Sequence, residues 1–239
     1  MQVAIEGQLS QEERRLLTQA ILQSDPKPET VIEVGTWLGG GSTLHILHAL
    51  QQNGCGHLWG VEADRGIYDR MLANIQKAVP EAAARFTPLF GLSDQVIPKW
   101  ISEKGNTLRV DFAFLDGGDN PNEQILEFQQ LDPHIPVGGQ LMAHDALQRK
   151  GKYFIPYLRL LDHWRSEVHP SSEVGLLTAT KIATHPSPES FAAATAALRR
   201  LRRQPSELLA PLLPSKLKAI ILRMLPSRWF NALMGGHRS

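Results

Sequence analysis

Acidic and small polar residues recur at the ends of apolar runs in this 239-residue chain, where side chains able to do chemistry would be gathered. Glu33 sits in the run Val31-Ile32-Glu33-Val34, and Gly35-Thr36-Trp37-Leu38-Gly39-Gly40-Gly41-Ser42-Thr43 follows it. Backbone in a glycine bend can approach a ligand closely because no Cβ intervenes. The helix that follows such a bend offers N–H groups without intrahelical partners. The spacing from Gly35 to Gly39 breaks the G-x-G-x-x-G pattern of dinucleotide sites, and no Gly-Lys-Ser/Thr marks a P-loop. A carboxylate at Glu33 repels a phosphate and attracts a cation or an ammonium group. The ligand expected here is therefore positively charged and free of phosphate. The alternative is a buried strand followed by a loop with a free carboxylate. Further on, Glu62, Ser93, Asp116 and the pair His144-Asp145 also stand at or just after the ends of apolar runs.

The elements that must position these residues can be read from periodicity and punctuation. Ser10 with Glu13 forms a capping box, and Leu16, Leu17, Ala20 and Ile21 give the following helix one apolar face. Asp25-Pro26-Lys27-Pro28 ends it. Strands are predicted at Thr30–Val34, His57–Val61, Phe86–Phe90, Val110–Leu115 and Gln140–Ala143, with two closing strands at Ser166–Val168 and Gly175–Ile182. Helices are predicted over Leu44–Gln51, Ile67–Val79, Gln95–Ser102, Asn122–Leu131 and around Tyr153–Trp164. Strands alternating with helices predict an α/β fold, a mostly parallel seven-stranded sheet with helices on both faces. Ligands bind such sheets beyond the carboxyl ends of the strands. Glu33, Glu62, Ser93, Asp116 and Asp145 all obey that rule, so they are expected to form one site. Glu62 suits a ribose diol, or is an acid near a helix N-terminus, favoured by the helix dipole. Asp64 suits an N-cap. Ser93 and Asp94 either hydrogen-bond an adenine amino group or cap the next helix.

The glycine bend beside Glu33 resembles motif I of class I S-adenosylmethionine (SAM) methyltransferases, whose cofactor carries an ammonium and a sulfonium. Glu33-Val34-Gly35, Glu62, Gly91-Leu92-Ser93-Asp94-Gln95-Val96-Ile97-Pro98 and Phe114-Leu115-Asp116, in this order, resemble the catechol O-methyltransferase family. They are similar also to its relatives among the macrolide-sugar (macrocin-type) O-methyltransferases and the cephalosporin hydroxylase-like group. The resemblance spans roughly residues 10–184. It implies a Rossmann-like fold and SAM-dependent methyl transfer to a hydroxyl of a small molecule or glycan precursor. Glu33, Gly35, Thr36, Gly39, Gly41 and Ser42 would then hold the methionine end of SAM, Glu62 the ribose, and Ser93 and Asp94 would neighbour the adenine, with Asp116 also near the cofactor.

A hydroxyl is a weak nucleophile near neutral pH, and a divalent cation is one way to lower the pKa of a bound oxygen. The resemblance places metal ligands at Asp116 and Asp145, for Mg2+ or Mn2+. Where many members have an Asn after the second Asp, this chain has Ala146, and His144 just before it becomes the third candidate ligand. Imidazole suits manganese or zinc better than magnesium. The family's lysine base, three residues after the first ligand, is here Asp119. His144 is then the candidate general base, because imidazole titrates near physiological pH. Asp116 and Asp145 could instead be independent turn residues. Gln148–Gly151 and Tyr153 are candidates for a lid over the acceptor. The missing lysine and Ala146 also admit a catalytically degenerate SAM-binding scaffold as the alternative.

Composition bounds the remainder. The single cysteine, Cys55, excludes an intramolecular disulfide and fits a reducing, cytoplasmic setting. The first residues lack the pattern of a signal peptide, and no apolar run is long enough to span a bilayer. Net charge is +1, but from Arg199 onward there are nine Lys/Arg and one acid, leaving net −7 on the first 198 residues. The division expected is 1–184 as the methyltransferase domain and 185–239 as a basic, amphipathic helical tail. Ser187–Arg203 reads as an Ala-rich helix, and Ser215–Leu225 carries an apolar stripe continued by Trp229 and Phe230. That stripe suits either an interfacial helix on the inner membrane face or packing on the domain or on a second copy. Nucleic acid is not expected, since the basic residues alternate with leucine and isoleucine.

Overall fold

A computed structural model of the chain describes residues 5–203. The tail readings at Ser215–Leu225, Trp229 and Phe230 lie outside the described residues. Seven strands, β1 (Thr30–Val34), β2 (His57–Glu62), β3 (Phe86–Phe90), β4 (Phe112–Leu115), β5 (Gln140–His144), β6 (Trp164–His169) and β7 (Leu176–Lys181), form one sheet ordered β3-β2-β1-β4-β5-β7-β6. Strands β1 to β5 are parallel, and β7 runs antiparallel to both β5 and β6. The helices are α1 (Gln11–Gln23), α2 (Thr43–Asn53), α3 (Arg65–Ala78), α4 (Ser93–Lys104), α5 (Pro121–Leu131), α6 (Gly151–Arg159) and α7 (Pro188–Arg202).

The two-residue period of the strands divides the core. Val31, Phe112, Phe114 and Met142 point to one face, where Leu17 and Ile21 of α1, Ile46 and Leu50 of α2 and Met71 and Ile75 of α3 cover them. Ile32, Val34, Ala113, Leu115, Leu141 and Ala143 point to the other, against Ile97, Phe128, Phe154 and Leu158 of α4, α5 and α6. Ala194 and Leu198 of α7 are buried in that second cluster, so this helix packs on the body. Among the described residues no helix is long and apolar enough to cross a membrane.

The helix expected to run to Trp164 stops at Arg159, and Trp164 opens β6 instead. The cause lies across the fold at Asp132. Its carboxylate accepts the Trp164 indole N–H at 3.0 Å and lies 3.1 Å from His163 Nε2 and 2.9 Å from Lys181 Nζ. These ties hold 163–164 extended beside β7. The fourth strand begins at Phe112 rather than Val110, whose N–H bonds to the His134 carbonyl outside the sheet. The capping box forms as expected: Glu13 N–H donates to Ser10 Oγ, and Ser10 N–H to Glu13 Oε2 at 2.8 Å.

Order reverses between β1 and β4, and at that switch the carboxyl ends of neighbouring strands diverge to leave a crevice. Gly35 turns the chain there with φ +88°, and a Cβ on it would lie 2.2 Å from the Asp116 carbonyl oxygen. Only glycine fits so close a crossing at that φ.

Candidate active site

A cavity of about 490 Å³ opens at this switch. Its wall includes Gly35 and Trp37 after β1, Glu62 at the end of β2, Gly91, Ser93 and Asp94 after β3, Asp116 and Asp119 after β4, and Asp145 and Lys150 after β5. A larger hollow of about 670 Å³, lined by Lys27, Trp59, Lys104 and Arg109, lies at the opposite, amino-terminal end of the strands. Open parallel sheets do not bind their ligands there, so the smaller cavity is the functional candidate.

Among the described residues, seven acidic residues border the cavity (Glu62, Asp64, Asp94, Asp116, Asp119, Glu123 and Asp145), against one lysine. Such a wall disfavours phosphate and suits a cationic ligand. Glu62 is held by three backbone donors at 3.0 Å: Trp37 N–H to one oxygen, Ala63 and Asp64 N–H to the other. Trp37 reaches Glu62 from a left-handed backbone, φ 49°, and is 39% exposed at the cavity rim. The Glu62 carboxylate is thereby fixed at the strand tip, with lone pairs left for a diol. Asp64 caps α3 through Ile67 N–H at 2.8 Å. Neither Ser93 nor Asp94 caps α4, whose N-cap is Leu92 without a side-chain bond. Ser93 Oγ instead donates to Glu127 at 2.7 Å, and burial pushes the Glu127 carboxyl up to about 7.

Glu33 does not border the cavity. It is fully buried beneath the bend, where the Ser42 and Thr43 hydroxyls donate to its two oxygens, Thr43 at 2.8 Å. Burial pushes its carboxyl up to about 8, against the two hydroxyl bonds that favour the charged form. Thr36, Gly39, Gly41 and Ser42, expected at the ligand, are buried too and lie off the cavity wall. Part of the bend is also covered from outside, at Gly40 and Gly41. Residues 5–8 lie across the bend so closely that a Cβ on Gly40 would come within 2.3 Å of the Ile5 carbonyl oxygen. From that segment Gln8, unforeseen in the sequence, reaches the wall.

Strands β4 and β5 bring Asp116, His144 and Asp145 together, with one candidate ligand atom from each within 4.8 Å of the others. Asp145 occupies a left-handed backbone, φ 58°, which Asp and Asn tolerate better than most residues. His144 is 3% exposed and stands behind the carboxylates rather than on the cavity wall. Its Nδ1 is 3.2 Å from Asp116 and 3.5 Å from Asp145, and its Nε2 is 3.5 Å from Glu13 of α1. Burial acts to lower its pKa, but the three carboxylates outweigh it and hold it above the ordinary histidine value. An imidazole enclosed this way orients the carboxylates and does not face an acceptor.

Lys150 was expected only as part of a lid at Gln148–Gly151 with Tyr153; it is buried on the cavity wall, and Tyr153 lies in the core rather than over the cavity. The loop after β5 is pinned by Ala146 N–H to the Gly175 carbonyl at 3.1 Å and Gln148 N–H to the Asp145 carbonyl at 3.0 Å. It therefore doubles back and delivers Lys150 onto the strand tips. The ammonium lies 2.9 Å from Asp116 Oδ1, 2.7 Å from Asp145 Oδ2 and 3.0 Å from the Gly117 carbonyl oxygen. Burial acts to lower its pKa, yet the two carboxylates carry it above the usual lysine value. The signal that could have found it is electrostatic: adjacent strand-tip acids need a counter-charge, and Arg149-Lys150-Gly151-Lys152 is the basic cluster nearest in sequence after Asp145.

Comparison with known proteins agrees with this geometry. Residues 32–146 match the sequence model of a family described as a methyltransferase domain. No curated protein matches the chain at a significant level. Among solved structures, a Staphylococcus aureus protein assigned as a caffeoyl-CoA O-methyltransferase superposes with a TM-score of 0.60 at 14% identity, over 73% of this chain and 85% of that one. An O-methyltransferase from Bacillus cereus in complex with SAH (S-adenosylhomocysteine) gives 0.56 at 18% identity, over 73% and 82%. An SAH-bound methyltransferase from Podospora anserina gives 0.58 at 12% identity, over 74% and 80%. Residues 32–146 thus match a methyltransferase-domain model, and the described residues share the Rossmann-like fold of these structures.

Proposed function

We propose that this methyltransferase domain belongs to a SAM-dependent O-methyltransferase acting on a hydroxyl of a small molecule or glycan precursor. The observation that carries the reading is the acidic cavity at the β1/β4 switch, shaped by a glycine crossing and bordered by seven carboxylates. A nucleoside with an ammonium and a sulfonium suits that wall, and a pyrophosphate does not. The SAH held by two of the structural neighbours supports the same cofactor class.

When bound, SAM supplies a methyl group whose C–S bonding pair returns to sulfur as the acceptor oxygen takes the carbon. Glu62 would hold the ribose diol, with Ser93 and Asp94 near the base. Asp116 and Asp145 would orient the acceptor hydroxyl in line and accept its proton on a carboxylate oxygen. Asp116, His144 and Asp145 are the residues that would hold a divalent cation, which would supply positive charge beside the acceptor oxygen. The donor types suit such an ion, but the space between the two carboxylates is already taken by the Lys150 ammonium. An ion bridging those oxygens would have to displace the lysine.

Calorimetric titration with SAM and SAH tests the assignment. Both are expected to bind one per chain, and Glu62→Ala is expected to weaken SAH by about tenfold or more, as loss of a bond to a charged group implies. Absence of binding by either compound overturns the reading. Binding without turnover on a broad panel of hydroxylated acceptors would favour the scaffold alternative.

A further inference from the structure

The Lys150 ammonium has three protons and three acceptors within 3.0 Å: Asp116 Oδ1, Asp145 Oδ2 and the Gly117 carbonyl. Every donor of the group is therefore used. Lysine 150 is only 4% exposed, so its charge is held inside the protein rather than shed into solvent. A buried ammonium there is compensated chiefly by the two carboxylates in contact with it, which also face the His144 ring. Gln124 ties the same strand ends from the other side, its amide 3.4 Å from both the Leu115 and His144 carbonyls. The loop that brings Lys150 in is closely packed: a Cβ on Gly151 would fall 2.3 Å from the Ala146 carbonyl oxygen. Asp116 and Asp145 are thus assembled around a cation that belongs to the chain.

We propose that Lys150 takes the place of a divalent ion in this site, a tethered ammonium that holds Asp116 and Asp145 together and keeps metal out. The proposal rests on the methyltransferase reading for its catalytic meaning, but it can fail separately from it. Magnesium demands near-octahedral oxygen ligation at about 2.0–2.1 Å. An ion at that distance from oxygens that already bond Nζ would share them with a positive charge at contact range, so one cation excludes the other. Removing the ammonium while keeping the stem should expose two carboxylates and an imidazole, a donor set that suits manganese.

The test is a titration of the full chain, freed of metal by chelation and dialysis, with Mn2+ alone, the free ion being read by electron paramagnetic resonance. The unsubstituted protein is expected to leave the free-ion signal undiminished. Lys150→Met is expected to bind one Mn2+ per chain, at least tenfold more tightly than the parent, and Lys150→Arg to behave as the parent. SAH binding, measured in parallel, reports whether each variant is folded and whether the cofactor reading holds, independently of the ion. One Mn2+ bound by the unsubstituted protein and lost in Asp116→Asn overturns the proposal. So does a Lys150→Met variant that binds SAH but takes up no ion. Should that variant fail to fold, the result with the unsubstituted protein still decides: one bound Mn2+ overturns the proposal, and none supports it.

Discussion

At the scale of single residues, Glu33 shows how a side chain can lie at a strand tip and still serve the fold first. It is enclosed, hydrogen-bonded by two hydroxyls and raised to about 8, so the folded chain holds a proton there that the unfolded chain releases above about 4.5. The sign follows from proton counting. Between those values the native state binds more protons, so the Glu33 contribution is intact below about 4.5 and is lost as pH rises toward 8. Glu33→Gln keeps the shape and removes the titration. The melting temperature of Glu33→Gln relative to the parent is expected to climb steadily from pH 5 to pH 8, as scanning calorimetry at several pH values would show; a constant difference would refute it. The acid's position was legible from the sequence. Its burial was not, because the Ser42 and Thr43 hydroxyls that meet it come back from the far side of the glycine bend, whose path has no local signature.

At the scale of elements, α1 does more than cover the sheet. Its Glu13, 0% exposed, closes the capping box, accepts from Ser172 Oγ at 2.6 Å and Ser171 Oγ at 3.2 Å, and faces the His144 ring. One side chain thus links the first helix, the loop before β7 and the tip of β5. Glu13→Ala strands these donors, and a loss of about 1–3 kcal/mol is expected on chemical denaturation. Because the same change removes a carboxylate from beside His144, the histidine pKa, followed by NMR titration, is expected to fall in the variant. The capping box was plain in the sequence because it is local. The link to Ser171 and Ser172 spans 158 and 159 residues of chain, and no periodicity announces it. The premature end of α6 was hidden for the same reason: Asp132, from another part of the chain, decides where 163–164 go.

At the scale of the whole molecule, the mostly parallel seven-stranded sheet, the helices on both its faces and a site at the carboxyl ends of its strands were readable from alternating strands and helices, whereas the strand order came only with the structure. A ligand that bridges several strand tips should stabilise the whole. SAH at a hundred times its dissociation constant adds about 2.7 kcal/mol, which for a chain of this size raises the melting temperature by about 5–11 °C. Thermal shift across a concentration series would show it, and a flat series would contradict the cofactor assignment. Residues 5–8 lie over the glycine bend, and Gln8 borders the cavity. Gln8 thus gives the cavity wall a member from outside the sheet, and a change there alters the wall without touching a strand tip.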